Sequence, residues 1–215
     1  HYHLNHIPFA DHGALLDPPS ADVSARCVGF LAQRGLPPDH PALQAGIAYL
    51  RREQEADGSW FGRWGTNYIY GTWSVLAGLN AAGVDGAAPE IRRAVSWLVD
   101  KQRDDGGWGE NGESYWPDMP HGEAPYSTAS QTAWALLGLM AAGEVDNPAV
   151  RRGIAYLLAT QDDSGTWQEP WFTAVGFPRV FYLRYHGYRA FFPLWALARY
   201  RRLSRANSRQ VTFGL

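Results

Sequence analysis

One phrase recurs three times along this chain: Leu50-x3-Gln54-x3-Gly58-x-Trp60, Leu98-x3-Gln102-x3-Gly106-x-Trp108 and Leu157-x3-Gln161-x3-Gly165-x-Trp167. A helix end followed each time by the same glutamine, glycine and tryptophan predicts a repeat architecture of stacked supersecondary units. Each unit has two halves. The first places a small residue before apolar positions at helical spacing, 46–50 (GIAYL), 94–98 (AVSWL) and 153–157 (GIAYL), and ends near the glutamine. Its start is marked by His40-Pro41, Ala88-Pro89 and Asn147-Pro148, with proline in the first turn. The second half, 72–83 (TWSVLAGLNAAG) and 132–143 (TAWALLGLMAAG), is apolar nearly all round and closes on a glycine suited to a left-handed C-cap. A helix with no broad polar face is buried on both sides, so these are inner helices and the first set outer ones.

Helices are expected over 20–33, 41–54, 68–82, 89–102, 128–142, 148–161 and 180–202, alternating inner and outer, with a kink or broken turn at Pro193 in the last. Helical hairpins whose inner members face one axis curve into an all-α, α/α toroid. Seven helices make only about half of a twelve-helix barrel, so the chain is expected to carry an apolar face that needs a neighbour or drives self-association. The expected organisation is an amino-terminal loop segment over 1–19, the partial barrel over 20–205 and a tail over 206–215.

Composition narrows the function classes. A net charge of -2 offers no electrostatic footprint for nucleic acid. The single cysteine, Cys27, excludes an internal disulfide and fits a reducing compartment. No stretch approaches the roughly 20 apolar residues that span a bilayer. Ten Trp, eleven Tyr and nine Phe exceed what a core of this size needs, so some rings are expected to face a ligand. The start, His1-Tyr2-His3-Leu4, has no initiator methionine and reads as cut from a longer protein. His1, His3, His6 and His12 lack a supporting carboxylate or cysteine at metal-ligand spacing, so no metal site is expected.

Two readings are open for the repeated Gln54, Trp60, Gln102, Trp108, Gln161 and Trp167. Either the rings stack on a ligand, or glutamine satisfies free backbone groups at a helix end while tryptophan packs over the turn. Recurrence in every repeat favours the second.

The repeats, together with 57–73 (DGSWFGRWGTNYIYGTW), 127–139 (STASQTAWALLGL) and 176–200 (GFPRVFYLRYHGYRAFFPLWALARY), resemble the carboxy-terminal third of squalene-hopene cyclases, bacterial triterpene cyclases. The resemblance covers the chain from the NHIPF segment at 5–9 to Tyr200. It implies protonation of a terminal double bond of squalene, ring closures through carbocations, and an ending by proton loss or water addition. Such chemistry needs a strong acid, a dry apolar cavity and electron-rich walls, whose aromatic faces each contribute about 2 kcal/mol or more when desolvated. The family's acid lies in a DxDD motif, which is absent here. Asp104-Asp105 and Asp162-Asp163 are the only paired aspartates, and both follow outer helices in solvated turns. The acid is therefore expected upstream and the chain is expected to be inactive alone, while the parent is an isomerase or lyase of the cyclase type.

The resemblance also implies roles for residues. Trp64, Tyr70, Phe177, Phe181, Leu183, Tyr185 and Tyr188 fall at substrate-cavity positions, with Phe177 and Phe181 facing cations of later ring closures. The competing reading of these rings is core aromatics at helical spacing. Asp22 and Arg26 fall beside the acid, Arg26 where the family has histidine; the alternative is an i,i+4 surface pair. Phe9, Ala10 and His12 fall at the constriction of the substrate entrance. No cofactor is implied. The implied partners are squalene or a similar polyprenoid and the missing amino-terminal part, with the parent a peripheral, monotopic protein on the cytoplasmic side of a membrane. Two further readings stay open: another class II cyclase acting on a different polyprenoid, and a non-catalytic α/α toroid used for binding or as a scaffold. Prenyltransferase subunits share the toroid but need zinc ligands, and Cys27 has no companions at recognisable positions.

Overall fold

Proline pre-sets the first turn of each outer helix, and the residue before it supplies the cap where it can. In the computed structural model, which describes residues 17–212, α1 (Ala21–Gln33) is followed by the outer α2 (Pro41–Arg52), the inner α3 (Tyr68–Ala81), the outer α4 (Pro89–Asp100), the inner α5 (Ala129–Ala141) and the outer α6 (Pro148–Thr160). His40 Nδ1 accepts the Ala42 N–H at 3.2 Å and Asn147 Oδ1 the Ala149 N–H at 2.9 Å. The inner helices α3 and α5 close on Gly83 and Gly143, both at left-handed φ (+77° and +85°).

The strands β1 (Ala174–Phe177) and β2 (Phe181–Leu183) and the helix α7 (Tyr188–Arg205) end the fold. The helix expected over 180–202 is corrected here: its first residues form β2, and the helix begins only after Gly187 and continues to Arg205. Phe181, Tyr182 and Leu183 are two aromatics and a leucine that pair well on a pleated surface, and β1 offers them an edge. The helix is not broken at Pro193. The outer helices stop short of Gln54, Gln102 and Gln161, which lie in the turns instead.

A row α1-α3-α5-α7 forms the inner layer, each packed on the next, with α2, α4 and α6 outside. Helix α5 is buried over its whole length and α3 over most of it, because each has inner neighbours on both sides. The two ends of the row lack one neighbour among the described residues. Val23 and Phe30 on α1 are 44% and 59% exposed, Phe191 and Leu194 on α7 71% and 65%.

The repeated phrase forms a clamp. Indole N–H groups of Trp60, Trp108 and Trp167 donate to the carbonyls of Leu50, Leu98 and Leu157 at 2.7, 2.7 and 2.8 Å, ten residues back at the helix end. Gln54 Nε2 donates both to Gly58 O within its own turn and to Glu90 O in the first turn of α4; Gln102 does the same with Gly106 O and Ala149 O. One side chain thus ties the turn after one outer helix to the first turn of the next. Gln161 bonds its own turn at Gly165 O, with no following outer helix among the described residues.

Candidate functional site

Backbone pairing brings together segments from opposite ends of the chain. Strand β1 pairs antiparallel with β2, Ala174 opposite Leu183 and Phe177 opposite Phe181, with an irregularity at Gly176. On the other edge of β1, Thr66 N–H donates to Thr173 O at 3.0 Å, Val175 N–H donates to Trp64 O at 3.2 Å, and Gly65 bridges Ala174. Trp64, Phe177, Phe181 and Leu183 are therefore carried on one small three-segment sheet. The Phe177 and Phe181 rings lie 5.7 Å apart, tilted by 60°, and Phe181 is 43% exposed.

Tyr70, Tyr185 and Tyr188 join a second group. Tyr70, in the first turn of α3, meets Trp73 and Trp134 edge-on at 5.6 and 5.0 Å. Those two indoles are parallel at 6.1 Å and fully buried. Phe192 stands edge-on to both, Tyr188 edge-on to Trp134 and Phe192, and Tyr185 lies 5.0 Å from Tyr188. Trp73, Trp134 and Phe192 were not among the candidates; Tyr188, Phe192 and Trp195 at i, i+4, i+7 along α7 are the sequence signal for such an aromatic seam. The two groups meet where the Tyr70 ring lies on Gly65.

Each group also reaches the surface, at Phe181 in the first and at Tyr185 in the second. A cleft of about 440 Å³ beside Tyr185 is lined with Gln168, Glu169, Arg184 and Arg189, and one of about 590 Å³ beside Trp64 with Val23, Cys27, Leu31 and Tyr49. Phe9, Ala10 and His12 lie outside the described residues. Among the described residues no three His, Cys, Asp or Glu side chains gather as metal ligands, and no helix is long and apolar enough to cross a membrane.

Asp22 and Arg26 form no ion pair, which corrects the i,i+4 alternative. Asp22 is buried, and its Oδ2 accepts the N–H groups of Arg63 and Trp64 at 3.0 and 3.2 Å; Oδ1 has no partner among the described residues. The carboxylate is thus turned into the loop before α3, where it fixes the backbone that carries Trp64. Arg26 instead lays its guanidinium over the Trp73 ring, 4.7 Å from the centroid, and 5.9 Å from that of Tyr70. The guanidinium thus takes aromatic faces as its partner in place of the Asp22 carboxylate.

Two buried carboxylates that sequence reasoning missed hold the inner helices. Glu110 Oε2 accepts the Asn67 and Ile69 N–H groups, both at 3.0 Å, at the start of α3, and Oε1 accepts Gly122 N–H at 3.1 Å. Glu169 does the equivalent for α5, accepting the Ser130 N–H and hydroxyl, both at 2.8 Å. Burial raises its carboxyl above the ordinary range. The signal was present: both follow their repeat tryptophan at the same spacing, Trp108-x-Glu110 and Trp167-x-Glu169.

Two phenols, Tyr70 and Tyr188, are held neutral. Burial, then the neighbouring Tyr70 and Tyr185, push Tyr188 up to about 12; burial also raises Tyr70, against the pull of the Arg26 cation. A phenol whose folded pKa lies above its unfolded value near 10 contributes stability fully present below about pH 10 and lost as pH rises through the folded value. Ultraviolet absorbance should therefore show Tyr188 still protonated at about pH 11, and Tyr188→Phe should flatten the fall of stability above about pH 10. Titration of that phenol at the free-tyrosine value would contradict its burial against α5.

The family model for the squalene-hopene cyclase C-terminal domain matches residues 1–202. The chain is 62% identical over 215 residues to a squalene-hopene cyclase of Bradyrhizobium diazoefficiens, covering all of this chain and 33% of that protein. It is 47% identical over 197 residues to that of Alicyclobacillus acidocaldarius (92% of this chain, 31% of that one) and 45% identical over 226 residues to a dammaradiene synthase of Dryopteris crassirhizoma (94% and 33%). The chain thus spans about a third of the length of these relatives. Among solved structures, a polysaccharide lyase shares the fold alone, with a TM-score of 0.54 and 15% identity over 95% of this chain and 66% of that one. With the family model spanning nearly all of the chain and the identity to a named cyclase running from end to end, the chain belongs to the squalene-hopene cyclase family, as its carboxy-terminal domain.

Proposed function

We propose that the full-length protein cyclises squalene through carbocations and that this chain supplies one wall of the cavity in which it does so. The observation that carries the reading is the gathering of aromatic residues at one small sheet, with Trp64, Phe177, Phe181 and Leu183 carried on its segments, Tyr70, Tyr185 and Tyr188 beside it, and no acid among them. Electron-rich faces stabilise a passing cation by about 2 kcal/mol or more when desolvated, and they are too weak as bases to capture it. The paired aspartates serve their turns instead. Asp105 accepts Gly107 N–H and the Ser127 hydroxyl; Asp162 accepts Ser164 and Thr166, which hold its carboxyl well below the usual range. The proton donor belongs to the upstream part of the protein, and the chain alone turns nothing over.

In this reading the upstream part covers the exposed ends of the inner row on α1 and α7; without it, the isolated chain associates with itself through the same faces. Light scattering that shows only monomer, with no dye-binding apolar surface, would overturn that part. The protein works at the cytoplasmic side of a membrane, where squalene dissolves. Phe9, Ala10 and His12 narrow the entrance.

The decisive experiment gives squalene and shorter polyprenoids to the full-length protein, and squalene to the 215-residue chain. Polycyclic triterpenes from the first alone are expected. Cyclisation by the isolated chain would overturn the missing-acid argument. Turnover only of other polyprenoids would favour a second class II cyclase.

A further inference from the structure

Two glycines of the small sheet hold aromatic rings where a side chain would stand. Gly65 is bridged to Ala174, and Gly176 lies two residues further along β1. A Cβ on Gly65 would come within 2.9 Å of Tyr70 Cε2 and nearer still to Cγ and Cδ2. One on Gly176 would come within 2.7 Å of Phe181 Cδ2 and nearer still to Cε2 and Cζ. Neither glycine has left-handed φ, so what each position requires is space and not a special backbone conformation.

The two rings differ in their freedom to yield. Tyr70 is wedged between Trp73 and Trp134 under the Arg26 guanidinium, and the clash would begin at the root of its ring. At Gly176 the clash falls on the far edge of a ring that is 43% exposed. A methyl there would be accommodated by moving the Phe181 ring, and with it one face of the wall. The ring would have to retreat at least from 2.7 Å to the 3.4 Å at which ordinary contact begins.

We propose that Gly176 is a specificity-determining residue of the cyclisation: its missing side chain seats the Phe181 ring against β1 and so sets where that ring meets a late cation. The proposal rests on the reading of this wall as a cyclase cavity. A cation gains from an aromatic face only within about 6 Å of its centroid, and a misplacement of about 1 Å at a reacting centre can change a step about a hundredfold. A displaced ring therefore changes which step ends the cascade. Gly176 touches no reacting atom; it acts through Phe181, as a positioning residue.

The test is a double-mutant cycle in the full-length protein with squalene, read as the ratio of incompletely to fully cyclised products. Gly176→Ala is expected to raise that ratio about tenfold in the parent, and by less than about twofold when Phe181 is already leucine. An unchanged ratio, or an equal rise in both backgrounds, overturns the proposal. Should Gly176→Ala not fold, the Gly176→Ala/Phe181→Leu protein, with the clash relieved, must fold and match the Phe181→Leu ratio; a different ratio overturns it. A parent that cyclises neither squalene nor other polyprenoids marks failure of the cavity reading itself, whereas cyclisation with an indifferent Gly176 marks failure of this inference alone.

Discussion

Replacing Trp108 by alanine is expected to destabilise the protein by about 3–5 kcal/mol, the range for removal of a large buried aromatic. The ring is fully buried, its N–H satisfies the Leu98 carbonyl at the end of α4, and its six-membered edge packs where a Cβ on Gly153 of α6 would come within 2.8 Å. Alanine would leave a cavity among α4, α5 and α6 and an unsatisfied carbonyl. Against a total stability of about 5–15 kcal/mol this is enough to uncouple the third repeat. The measurement is urea unfolding. A midpoint lowered with the slope unchanged fits a clamp that acts on the whole fold, and a second transition fits release of one repeat. A midpoint indistinguishable from the parent's would mean that the repeat phrase is not what joins the units.

Glu110→Ala should cost about as much, about 3–5 kcal/mol, by a different route. Its carboxylate is 1% exposed and serves three backbone donors, and removing it strands the N–H groups of Asn67, Ile69 and Gly122 inside the protein. Glu110→Gln keeps one acceptor oxygen and should lose roughly half as much. Hydrogen exchange separates the two effects, because loss of the cap should speed exchange at Asn67 and Ile69 before the core of α3. A fully protected α3 terminus in the alanine variant would show that water or another group replaces the carboxylate. The same substitution reaches the wall, since Tyr70 lies in the turn that Glu110 caps.

Much of the fold was legible because a helix writes itself locally. Periodicity at 94–98, proline after Ala88 and glycine at 83 and 143 place α3, α4 and α5 to within a residue or two. The end of the chain was less legible for the same reason. Phe181 and Leu183 stand at spacings that a helix through 180–202 also accepts, and only the presence of β1 beside them decides for a strand. For Asp22 and Arg26, i,i+4 spacing permits a pair. The loop at 63–64 and the Trp73 ring, which arrive from other elements, draw the two side chains apart.

The sequence by itself determined the repeat, the inner and outer helices, the clamps at their ends and the family, because each is written in residues close together along the chain. Only the tertiary structure decided which rings share a wall. Backbone hydrogen bonds between 64–66 and 173–175 tie the segment that carries Trp64 to the strand that carries Phe177, and the Tyr70 ring lies on Gly65 of that segment. Backbone pairing uses groups that every residue but proline carries, so no side-chain pattern announces it; and the space above a glycine becomes visible only once the ring that fills it is in place.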